Sequence, residues 1–216
     1  MEQTNASSMQ AKSDALLDHV LPRYDFRGVI SVPVHADDRK LFRALRDVTL
    51  ADMPVAAVLG NLRYLPGRLL GRAPPPAGPS PFLEQLLSSG NVLLAHEPGH
   101  EIVIGAIGKF HQILDQEIFP LHDGAQFRLF RHPAYQKLAM SFRVDETERG
   151  RYLVLEHRTR ALSPAARRAF ALYWLLIKPF GHFVSWLLLR AVRRRAEKRG
   201  ETALPFSSGR VPVTKA

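Results

Sequence analysis

Apolar residues recur along this chain in two rhythms. Leu41, Phe42, Leu45 and Val48 fall at helical spacing, with Arg39, Lys40, Arg43 and Arg46 on the other side, and Asp37 or Asp38 stands ready to cap that helix. Leu153, Leu155, His157, Thr159 and Ala161 instead alternate with Tyr152, Val154, Glu156, Arg158 and Arg160, which is the period of a strand. Extending both rhythms predicts a short helix at Ala15–Leu21 and a strand at Tyr24–Val34. A capped helix follows, then a second short helix from about Leu50 to Arg63, with Pro54 in its first turn. Further strands are predicted at Val92–Glu97, Glu101–Phe110, Ile113–Phe119, Gln126–Arg131, Lys137–Asp145 and Arg151–Ala161, after a short helix at Pro81–Leu87. Gly124 and Glu148-Arg149-Gly150 are read as turns. Arg72–Pro81, with Pro74-Pro75-Pro76, is read as a loop.

The strongest element closes the chain. Ser163-Pro164 combines a capping hydroxyl with a proline at the first helical position, where a missing N–H costs nothing. Apolar and aromatic residues then run from Phe170 to Val192, followed by Arg193-Arg194-Arg195 and Gly200. The length approaches that of a membrane span, but Lys178, Pro179 and His182 lie at its centre. Arg167, Lys178, His182, Ser185 and Arg193 project to one side, and Tyr173, Ile177, Phe180, Val184, Leu188 and Ala191 to another. This pattern predicts a helix bent or divided at Pro179, packed on a sheet with its polar stripe wet. The whole is α+β, read as one domain over residues 13–200 with loose tails at 1–12 and 201–216.

Composition narrows the function. A chain of 216 residues without Cys excludes disulfides, thiolate metal sites and thiol nucleophiles. The polar start, Met1 to Lys12, lacks a secretory pattern, so a cytoplasmic protein is expected. The net charge of +10 raises nucleic acid or an anionic membrane as partners. The aromatics of the long helix precede its basic run rather than interleave with it, which argues against nucleic acid. Arg193, Arg194 and Arg195 favour the helix dipole and leave a weak membrane-surface contact open.

His96-Glu97-Pro98-Gly99-His100 meets the spacing of a zinc-protease signature. Pro98-Gly99 makes it a turn between strands, so the two His cannot share a metal; no metal and no cofactor is expected. Cross-strand pairs Glu97–His100 and His96–Glu101 are expected instead. His157 stands on the more apolar side of its strand. There it could hold the polar end of a ligand or act as acid or base. Glu156, Arg158 and Arg160 take the side read as solvated. Met140, Phe142 and Val144 share an inward face on the preceding strand.

The segment Ile30-Ser31-Val32-Pro33-Val34-His35-Ala36-Asp37-Asp38-Arg39-Lys40-Leu41-Phe42-Arg43-Ala44-Leu45-Arg46-Asp47-Val48 resembles the opening of the helix-grip proteins, the START and Bet v 1-like group called SRPBCC. Glu156-His157-Arg158-Thr159-Arg160, with Ala165-Ala166-Arg167-Arg168 and Tyr173-Trp174, is similar to a bacterial branch of it. The resemblance implies a curved antiparallel sheet wrapped around the long C-terminal helix, with two short helices after the first strand and an apolar cavity between sheet and helix. Lipid carriers, plant ligand binders and polyketide cyclases or dehydratases share that group, and no catalytic motif is common to them. Binding of a small apolar ligand is the leading expectation, with Met140, Phe142, Leu155, His157, Trp174 and Ile177 lining the cavity. An enzyme of cyclase or dehydratase type with His157 as acid or base is one alternative. A membrane-associated protein acting through residues 170–192 is another.

Overall fold

The computed structural model describes residues 15–59, 79–112 and 117–198. Both predicted tails, residues 60–63 of the second short helix, residues 72–78 of the proline-rich loop and the start of the Ile113–Phe119 strand lie outside these residues. The elements run α1 (Leu16–Val20), β1 (Phe26–Pro33), α2 (Asp38–Asp47), a 3-10 turn (Leu50–Asp52), α3 (Phe82–Ser88), β2 (Val92–Glu97), β3 (Glu101–Gly108), β4 (Ile118–Phe119), α4 (Gly124–Leu129), β5 (Gln136–Thr147), β6 (Gly150–Ala161) and α5 (Pro164–Lys198). Residues 54–59 are also helical, with Pro54 first, where proline is tolerated.

The architecture is α+β. Six antiparallel strands form one open sheet in the order β1-β6-β5-β3-β2, with β4 beside β3, and α5 packs across it. The long β5–β6 hairpin is its spine, pairing from Gln136↔Ala161 to Thr147↔Gly150. Alternation sends Ile30, Val32, Phe142, Val144, Leu153 and Leu155 to one face, where Leu188, Leu189 and Val192 of α5 and Leu41 and Leu45 of α2 meet them in the main core. Each such side chain contributes about 1.5–3 kcal/mol by leaving water.

Local signals held where capping decides. The Asp37 side chain accepts from the Lys40 N–H at 2.9 Å, and Ser163 Oγ from the Ala166 N–H at 3.1 Å. Gln126–Arg131 is a correction: it is not a strand, and residues 126–129 belong to α4. Asp123 caps it by accepting from the Gln126 N–H at 2.8 Å, and Phe127 is buried in a second cluster with Val103, Ile107, Ala139, Leu17 and Leu21. A short apolar run fits either structure until its neighbours are known. Gly124 accordingly opens a helix rather than marking a turn.

That second cluster lies on the other face of the sheet, under α1 and α4. The sheet is therefore covered on both sides. Glu101, buried there, accepts from the Leu16 N–H at 2.7 Å and from Ser141 Oγ, satisfying one free donor at the start of α1.

The β2–β3 connection differs from expectation too. A three-residue loop joins the strands, with Gly99 at φ 77°, and Glu97 lies opposite Glu101. The predicted pairings of Glu97 with His100 and of His96 with Glu101 do not occur in the register, where His96 faces Ile102.

Candidate functional site

The middle of α5 crosses the sheet where β1 and β6 pair Gly28 with His157. Gly28 lies on the same face as Ile30 and Val32, so nothing but hydrogen fills the sheet surface at that point. Two imidazoles occupy the gap. A Cβ on Gly28 would stand 2.1 Å from His157 Nε2 and 2.6 Å from His182 Nε2. The two ring nitrogens thus converge on one spot, one from the sheet and one from the helix, with ring centroids 5.7 Å apart. Trp174, two helical turns before His182, lies 5.3 Å from the His157 ring. Phe26 and Phe170 extend the wall, at 6.0 and 5.9 Å from Trp174.

Both Nε2 atoms are shut off from water and neither has a hydrogen-bond partner. Buried polar atoms are nearly always paired, so two facing orphans are where a polar partner would be best satisfied. Burial pushes the His157 imidazole down to about 4, and the neighbouring His182 adds to this against a small opposing pull from Glu156. His182 is lowered as well, first by burial and then by Lys178. Two neutral imidazoles offer donors and acceptors without charge. A hydroxyl or a protonated carboxyl can donate to one and accept from the other.

The residues expected to line a cavity divide here. His157 and Trp174 meet at the site, and Met140 is the register partner of His157 on β5. Phe142 and Leu155 pair one step further along, fully buried in the main core against α5, and are packing residues. Ile177 is half-buried one turn after Trp174. His182 was legible only as part of the polar stripe of the long helix, which was read as the wet side. Arg167 and Lys178 of that stripe are exposed, but His182 faces the sheet, and Leu172, Leu175 and Leu176 face outward as well. An open surface cleft of about 600 Å³ near the start of α5 is lined by Asp25, Ser163, Arg167 and Arg168.

The opposite side of β6 is a second correction. Glu156 and Arg158 are not solvated; each is 1% exposed. Arg27 and Arg158 both bond Glu156, at 2.7 and 2.8 Å, and Arg143 stands 3.2 Å from it. Burial alone would raise the Glu156 carboxyl, but those bonds and charges outweigh it and hold it at about 2. Arg158 also reaches Asp18 at 2.7 Å and the Leu21 carbonyl at 3.2 Å, with its guanidinium over the Tyr24 ring. The cluster fastens α1 to the sheet and holds no orphaned acid for chemistry.

The basic end of α5 is partly used within the fold. Arg195 pairs with Asp52 at 3.1 Å, Arg194 donates to the Asp52 carbonyl at 2.9 Å, and Arg193 to the Pro33 carbonyl at 3.4 Å. Among the described residues no group of three or more His, Cys, Asp or Glu is placed to hold a metal ion. His96 sits on β2 and His100 in the loop after it. No protein-family model, curated protein or solved structure matches this chain, and its site is read from its own geometry.

Proposed function

We propose that this protein binds a small apolar molecule between the sheet and α5, with the polar end of that molecule seated between His157 and His182. One observation carries the reading: two buried, unpartnered Nε2 atoms converge on Gly28, where a Cβ would collide with both. Around them the surface is aromatic, formed by Trp174, Phe26 and Phe170. The helix-grip resemblance points the same way. Because both imidazoles are neutral, a long-chain alcohol or an uncharged acid suits the site better than a carboxylate. As an enzyme, the protein would have in His157 a weak base and no proton to give near neutral pH.

The test titrates full-length protein with 1-decanol while following ring ¹⁵N shifts of the histidines and Trp fluorescence. Saturable shifts of the His157 and His182 Nε2 signals, absent in Gly28→Ala, are expected. Unmoved histidine signals at saturating decanol would sink the reading.

A further inference from the structure

The outward face of α5 stands apart from the rest of the surface. Leu172 and Leu175 are each 76% exposed, Leu176 is 73% and Phe183 44%. Their spacing, with Pro179 between them, puts them on one side of the helix, opposite the buried Phe170, Leu188 and Val192. Only 11% of the most apolar 18-residue window of this helix is buried. Scattered exposed apolar residues are ordinary, but an aligned row of leucines is not.

Charge identifies what covers the row. Arg168 closes it at one end on the same face, exposed; Arg190 closes it at the other, its guanidinium 4.5 Å above the Trp186 ring. Lys178 flanks the middle and is exposed. From Pro164 to Ala196 the helix contains no Asp or Glu. A second copy seated on this face would bring arginine against arginine in either direction, with no acid on the helix to pair with them. An anionic bilayer answers both features at once. Leucine, phenylalanine and tryptophan in a row between arginines are the composition of helices that lie in the headgroup region.

We propose that α5 docks flat on an anionic lipid bilayer, inserting Leu172, Leu175, Leu176 and Phe183 while Arg168, Lys178 and Arg190 meet the headgroups. The inner side of the same helix is held in the fold through Ala166, Phe170, Leu188, Leu189 and Val192, so it lies on the surface and does not cross. The docking face points away from His157 and does not depend on the ligand reading.

Flotation of the full chain with phosphatidylcholine vesicles, with and without phosphatidylserine, tests this. Binding to the phosphatidylserine vesicles is expected, weakening as salt rises. The double variant Leu175→Gln/Leu176→Gln should lose roughly tenfold or more of that binding. Its thermal melt should be unchanged, since both side chains are exposed. Arg168→Ala/Lys178→Ala should narrow the preference for the anionic vesicles. The proposal is overturned by absence of binding, by equal binding to both vesicles, or by full binding of the leucine double variant. A wild-type dimer that the leucine variant turns into monomer would assign the face to a second copy instead. Resistance to alkaline carbonate extraction would mean that the helix spans the membrane.

Discussion

At the scale of single residues, Gly28 and Glu156 are the positions where small changes have large consequences. In Gly28→Ala the new methyl falls 2.1 Å from one imidazole and 2.6 Å from another. The rings must turn, because the backbone of a paired strand gives little. We expect a loss of about 1–3 kcal/mol by urea denaturation, together with the loss of decanol binding. Glu156 is the hub of three guanidinium groups, and Glu156→Ala removes their shared anion, leaving buried Arg158 with only Asp18 at the edge of the cluster. The expected loss is about 3–5 kcal/mol in the same measurement. A change near zero would mean that water reaches the cluster. His157 and Trp174 were readable beforehand from strand alternation and helical position. The role of Glu156 was not, since alternation says which residues share a face and not what covers that face.

At the scale of elements, the five residues of α1 matter out of proportion to their length. Leu17 is fully buried, and Asp18 and the Leu21 carbonyl hold Arg158. Such a short helix has no stability of its own; it persists because the sheet receives it. Leu17→Ala should therefore cost about 2–5 kcal/mol and raise amide exchange along β6, measurable by mass spectrometry. At the start of α5, Ser163→Ala removes the acceptor for the Ala166 N–H and should cost about 0.5–2 kcal/mol. The beginnings of α2 and α5 were legible because a cap is local chemistry. α4 was not, because its six residues carry too few turns for a period to show. Pro179 does not divide α5, which runs unbroken from Pro164 to Lys198. A single missing N–H is tolerated where both flanking segments are held by packing.

At the scale of the whole molecule, pH should act in two steps. His157 titrates from an ordinary 6.5 down to about 4 on folding. Between those values the unfolded chain binds the extra proton, so stability is full above 6.5 and falls as pH drops toward 4, by roughly 3 kcal/mol. Glu156, lowered from 4.5 to about 2, adds a second loss as pH falls through that lower window. Urea melts at pH 7, 5 and 3 should show both, and His157→Phe should flatten the first alone. Equal stability at pH 7 and 5 in the parent would contradict the burial of His157. The sequence by itself determined the α+β class, most strand and helix positions, the caps and the inward side of β6, because period and capping are written in near neighbours. Tertiary structure decided the rest. Partners of β6's other face such as Arg27 and the Leu21 carbonyl come from segments more than a hundred residues away, and the middle of α5 meets β6 only once the chain has turned back on itself. Only the folded chain showed that Glu156 and Arg158 are buried, with α1 over Arg158, that Gly28 makes room for His157 and His182, and that a row of leucines on the long helix faces outward.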